Sequence, residues 1–401
     1  MKSRSKKIAL LGSLIAGAAL IIYGCAGGGG ELRTASLASD PNVFASSYVV
    51  LGYNDLGMHC MNEDFSEICI LPPANTLRAQ VIKRADSPDI TTSDVVVNYS
   101  IPGNTTSANK TNFWTYAPKL FGVKLALNMG LFGYGMSGRM NKTTEKDFIA
   151  QGIPITQIQD DGTNQPYNLA QINVTKNGQL VAATAPVVPV SWEMSCNQCH
   201  NTPGISVAED ILRKHDKKVR GGIRMKKPVL CASCHADPAL GAPGKPGVST
   251  LSSAMHKSHA PRTANMSTEA ACYSCHPGPQ TQCFRDVHKS NGMNCTSCHG
   301  SMTAVGNPTR KPWVDEPRCG NCHNVPGHQY EQPGKLFRDS VGHNGVKCIA
   351  CHGSPHVIAP STEARDNVQA IGLQGHAGTI NTCSVCHTRQ PEHAFNHTPG
   401  D

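Results

Sequence analysis

The second half of this 401-residue chain lacks what a self-supporting domain needs. From Cys196 to Asp401 it is rich in Gly, Pro, Ser and charge, and few segments keep an apolar period at helix or strand spacing. On composition alone such a stretch reads as disordered. Also missing is the βαβ pattern that frames a single thioredoxin-like Cys-x-x-Cys. The apolar run Ile8 to Ile22 has fifteen residues, short of the roughly 20 that a membrane-spanning helix needs. No acidic residue occurs in the first 24, which hold Lys2, Arg4, Lys6 and Lys7. A basic start followed by a short apolar run has the form of an export signal.

What the chain has instead is 18 cysteines and 18 histidines. Fourteen of the cysteines fall in seven pentapeptides, each ending in histidine. They are Cys196-x-x-Cys199-His200, Cys231-x-x-Cys234-His235, Cys272-x-x-Cys275-His276, Cys295-x-x-Cys298-His299, Cys319-x-x-Cys322-His323, Cys348-x-x-Cys351-His352 and Cys383-x-x-Cys386-His387. Here they are called motifs I to VII. Zinc sites combine such pairs but do not require histidine after the second cysteine every time, and seven half-sites do not divide evenly into Cys₄ sites. The spacing is the attachment signature of c-type haem. Two thiols three residues apart each form a thioether to one vinyl group, and the following imidazole reaches the iron as proximal ligand. Seven covalent haems c are therefore expected, and they would supply the apolar core that this half lacks. The apo-chain is then expected not to fold.

Charge follows the same logic. The formal charge of +8 falls to +4 without the first 24 residues, and the fourteen propionates of seven haems would carry it to −10. A basic-protein reading is weak on that count, and no nucleic-acid partner is expected.

Histidine supply supports ligation on both faces of each iron. Beyond the seven proximal residues, ten lie in the haem region: His215, His256, His259, His288, His328, His343, His356, His376, His393 and His397. Seven irons need seven sixth ligands. Methionine is the competing ligand and would raise the potential, with Met194, Met225, Met255, Met266, Met293 and Met302 available. Ser206 with Glu209 reads as a capping box, and the helix that it opens puts Val207, Ile211 and His215 on one face. Residues 236–271 read as a Pro/Gly/Ser-rich loop.

An internal repeat spans Phe284-Arg285-Asp286 to His299-Gly300-Ser301 and Phe337-Arg338-Asp339 to His352-Gly353-Ser354. Each copy holds an upstream histidine, His288 or His343, so the unit is one haem plus one donated imidazole, given to a neighbouring haem. Cys283 stands where the second copy has Leu336, and reads as a buried free thiol, with a bond to Cys60, to Cys69 or to a second chain as the alternative.

The expected organisation is two-part. Residues 1–24 are the signal segment. Ile22-Tyr23-Gly24-Cys25 resembles a lipobox, which makes Cys25 the acylation candidate, and residues 25–40 a flexible tether. Residues 41–190 form a haem-free, mostly-β, sandwich-like domain. Its strand candidates include Tyr48–Leu51, Asp94–Asn98 and a hairpin of Gln171–Thr175 with Leu180–Thr184 across Asn177-Gly178. Residues 191–401 form the heptahaem domain, loop-rich with short helices. Cys60 and Cys69 lie outside the motifs and are expected to form a disulfide in an oxidising compartment. The alternative is a metal or substrate site from Asn54, Asp55, His59 and both thiols. Phe113, Trp114 and Tyr116 read as core or interface aromatics.

With seven motifs and surplus histidine, residues 196–387 resemble the multihaem c-type cytochromes of bacteria that respire extracellular metals. Leu51 to Pro73 looks like the N-terminal segment of some outer-surface members. The resemblance implies electron transfer without bond chemistry, from periplasmic or outer-membrane donors to extracellular acceptors or partner cytochromes. It also implies export to the outer membrane, the cell surface or the medium, with the periplasm as alternative and a lipid anchor if Cys25 is acylated. Some relatives polymerise into filaments, although those often lack a large haem-free domain. The alternative function is a multihaem reductase of nitrite, hydroxylamine or a sulfur oxyanion, with one open iron position.

Overall fold

The computed structural model describes residues 46–328 and 330–392. The signal segment, Cys25, the tether, His393 and His397 lie outside them. An N-terminal, mostly-β region of several sheets is followed by helices and loops.

The first sheet runs Tyr48–Asn54, Asn75–Lys83, Phe148–Ile153, Asn141–Lys142, all antiparallel, with Asp89–Thr91 added on Asn75–Lys83. The second runs Gln179–Thr184, Gln171–Lys176, Val96–Ser100, Ser137–Arg139. Its hairpin turns at Asn177 and Gly178, both at positive φ (51° and 78°), as a type I′ turn requires. Two smaller sheets hold Tyr167–Leu169, Val187–Ser191 and His59–Cys60, and Val229–Leu230 with Ile68–Cys69.

Strand periodicity explains why Tyr48–Asn54 is apolar almost throughout. Successive side chains point to opposite faces, and both faces are covered. Val50 enters a core with Phe65, Leu77, Phe113, Ile153 and Val190. Val49, Leu51 and Tyr53 enter a second with Phe337, Ile349 and Val385 from the motif half. Each such buried side chain contributes about 1.5–3 kcal/mol. Helix α1 (Phe113–Phe121) closes the first core, with Phe113 edge-on to Phe65 and to Trp114 at centroid distances of 5.2 Å. Phe113 and Trp114 are core aromatics and Tyr116 packs against them, as the sequence suggests.

The described residues form one compact unit. The boundary expected near residue 190 is therefore a change of secondary structure and composition, not a gap in packing. Polar clamps reinforce the joint. The Gln369 carboxamide accepts the Gly52 N–H and donates to the Gly52 carbonyl, both at 2.8 Å. Gly52 has no room for a side chain, because a Cβ there would lie 2.6 Å from Pro186 and 2.7 Å from Ile172. The Lys347 N–H donates to Gln80 Oε1 at 2.8 Å, with both residues fully buried.

The Cys60–Cys69 disulfide is a correction: both are unbonded thiols. Their strands are drawn to different partners, since Cys60 aligns with Ser191 and Cys69 with Leu230. Buried Asn62 closes the loop instead. Its side-chain oxygen accepts from Ile70 N at 2.7 Å and Leu71 N at 3.2 Å, and its N–H donates to the Leu71 carbonyl. Asn54 is likewise consumed in structure, exchanging hydrogen bonds with Gly57 and donating to Asn75. His59 Nε2 lies 2.8 Å from the Pro72 carbonyl. The alternative site proposed for this segment is thus a hydrogen-bonded loop.

Candidate haem-binding site

Each motif is one helical turn. The histidine N–H donates to the carbonyl of the first cysteine in motifs I, II, III, V and VII, at 2.8–3.0 Å. Motif III starts at the end of α4 (Thr268–Tyr273), and motifs IV and VI are short helices, α6 (Cys295–His299) and α7 (Cys348–His352). Residues three and four apart share a helix face, so the turn sets two sulfurs and one imidazole on a common side. That is the arrangement that thioether attachment with proximal ligation requires.

The second finding is where the other histidines go. Six motif histidines each face a second imidazole across a nearly constant gap. The centroid distances are 6.3 Å for His200–His259, 6.3 Å for His235–His215 and 6.0 Å for His276–His256. They are 5.9 Å for His299–His356, 6.1 Å for His323–His288 and 5.9 Å for His387–His343. Two metal–imidazole bonds of about 2 Å, plus the distance from each nitrogen to its ring centre, add up to about 6 Å. The pairs fit a single iron between them. His352 of motif VI and His328 stand outside these six pairs, and each has interaction partners of its own.

Local structure explains each donor. His215 sits on α2 (Val207–Val219), whose Ser206 cap accepts the Glu209 N–H at 2.9 Å. The box is only half made, because the Glu209 carboxylate turns to Arg213 and Lys227. His256 and His259 both sit on α3 (Leu251–His259), capped by Thr250 accepting from Ser253 N. This helix lies where a loop was expected. Its sequence, Leu-Ser-Ser-Ala-Met-His-Lys-Ser-His, has no apolar stripe, and the side chain that it buries is Ser253. His288 lies on α5 (Val287–Ser290), and His343 in a short turn. His356 has a left-handed backbone, φ 67°.

His288 precedes motif IV yet faces motif V, and His343 precedes motif VI yet faces motif VII. In both repeat copies the upstream histidine thus faces past the adjacent motif. The copies diverge elsewhere. Arg285 is buried and doubly bonded to Asp366 at 2.6 and 2.9 Å. Arg338 instead lies 5.6 Å over the Trp313 ring.

The tautomers also fit. A carbonyl oxygen only accepts, so an Nδ1 bonded to one must carry the hydrogen, which leaves Nε2 its lone pair. This holds for His235 on Ser249 (2.8 Å), His256 on Ser252 (2.7 Å), His259 on Met255 (2.7 Å) and His387 on Asp86 (3.0 Å). Burial pushes His276 and His299 down to about 4, so both rings are neutral near pH 7, as ligands must be. Among the described candidates His376, like His328, stands apart. Its Nδ1 lies 3.0 Å from the Ala377 carbonyl and its Nε2 3.4 Å from Thr382, and it joins none of the six pairs. These Nδ1 acceptors escaped the sequence reading; only Asp286, two residues before His288, left a visible sign.

Motif loops also touch one another. Ser274 Oγ of motif III donates to Gln198 Oε1 of motif I at 3.2 Å. Cys272 of motif III and Cys295 of motif IV are near neighbours. Ile380 N, before motif VII, donates to the Cys351 carbonyl of motif VI at 3.1 Å. Helix α2 spans two more, with Lys214 bonded to the Cys199 carbonyl of motif I and His215 facing motif II.

Among the described residues no group of three or more His, Cys, Asp or Glu side chains converges on a metal position. No known protein-family model, curated protein or solved structure matches the chain.

Proposed function

We propose that this chain is an electron-transfer protein carrying seven covalent c-type haems, at least six of them clamped between two histidines. The observation that carries the reading is the set of six imidazole pairs at 5.9–6.3 Å, each containing one motif histidine. A haem held this way supplies a one-electron iron couple when bound. The chain's own residues do the rest. The cysteines tether, the histidine pairs fill both axial positions, and the Nδ1 acceptors fix the rings. With both axial positions taken at those six irons, no coordination site is left there for a substrate, which favours carriage over catalysis. Contact between successive motif loops favours short hops.

On this reading the β region, taken as sandwich-like, is the scaffold against which the haem half is assembled. Export, a lipid anchor at Cys25, partner cytochromes, extracellular acceptors and assembly into a homopolymer belong to the same proposal and rest on the sequence. The test is electron paramagnetic resonance of the oxidised holoprotein. Low-spin ferric signals for six or more haems support carriage; a large high-spin signal that responds to nitrite or hydroxylamine would replace it with reductase chemistry.

A further inference from the structure

Four Nδ1 corners in the axial pairs rest on backbone carbonyls, but His288 rests on a carboxylate; the His200 Nδ1 is 3.8 Å from Asp210 Oδ2, too far for a hydrogen bond. Asp286 is 2% exposed and uses its oxygens for two tasks. Oδ1 accepts from His288 N at 2.9 Å and Lys289 N at 3.2 Å, capping α5. Oδ2 lies 3.2 Å from His288 Nδ1. Across from His288, at 6.1 Å, is the motif V histidine His323.

We propose that Asp286 is a positioning residue that gives the haem between His288 and His323 a lower reduction potential than haems whose histidines rest on carbonyls. The inference depends on the haem reading above. A carboxylate on Nδ1–H fixes the ring and makes its other nitrogen a stronger donor. A stronger axial donor stabilises the ferric over the ferrous iron, and so lowers the potential. His256 and His259 supply the contrast on the same kind of helical element, each bonded to the carbonyl four residues earlier. The second repeat copy supplies another. Asp339 lies 3.7 Å from Arg338 Nε, with its side chain half-exposed, so its charge is turned toward a cation. Position therefore matters more than the Phe-Arg-Asp sequence itself.

The test is Asp286→Asn in the full holoprotein. The amide oxygen keeps the cap, while the NH₂ group cannot accept from Nδ1. Asp286→Ser, which also caps but is too short to serve both groups, is the companion. Spectroelectrochemical titration is expected to show one component of seven moved to higher potential in both variants. One low-spin resonance should change with it, at unchanged haem content. Seven unmoved components would overturn the assignment. So would several moving together with loss of haem, which marks a purely structural aspartate. A wild-type protein without haem c would instead sink the proposed function, a distinct outcome.

Discussion

The His256 imidazole lies 6.0 Å from that of His276, with the ring planes only 23° apart. In the other five pairs the planes cross at 46–87°. The angle between axial rings governs the splitting of ferric d-orbitals. The oxidised protein should therefore show one rhombic low-spin species apart from a group with larger anisotropy. His256→Ala should remove that species alone and leave one high-spin iron. Loss of a signal from the crossed group would contradict the pairing.

Helix α3 serves two motifs at once, since His256 faces His276 and His259, one turn on, faces His200. An alanine inserted between Lys257 and Ser258 would rotate His259 by about 100° while leaving His256 in place. The expected result is one high-spin haem, counted by resonance, with six unchanged. Two high-spin haems would mean that the helix does not hold its partners independently.

The motifs, the proximal histidines and the surplus of donors are legible in the sequence because the chemistry fixes their spacing. Pairing is not, because a distal histidine is matched through space: His356 follows motif VI by four residues and meets His299 of motif IV. Helix α3 escaped because it carries no apolar stripe to mark it. The β strands were legible from alternation and the Asn177-Gly178 turn. The Cys60–Cys69 expectation failed because compartment and spacing say nothing of which strands flank each thiol.

Cys60 and Cys69 should behave as free thiols. Denatured holoprotein treated with iodoacetamide without reductant should gain label at both, read by peptide mass spectrometry. In the folded protein, burial raises both thiols well above their usual value, so labelling near pH 7 should be slow. A peptide linking the two through sulfur would contradict the strand pairing.

His59 gives a pH dependence with a defined sign. Burial lowers it from 6.5 to about 4. Between those values the unfolded chain holds a proton that the folded chain does not. Stability is therefore complete above pH 6.5 and falls toward pH 4, by up to about 1.4 kcal/mol per pH unit. His59→Gln, whose amide can still donate to Pro72, should show a smaller drop in urea midpoint between pH 7 and pH 4.5. An identical drop in both proteins would assign the effect elsewhere.

The most direct measurement is haem per chain by pyridine haemochrome on the purified full-length protein, paired with metal analysis. Seven covalent haems and no stoichiometric zinc are expected. A content well short of seven, or zinc in place of iron, would contradict the claim that these loops and their facing imidazoles are built around porphyrin iron.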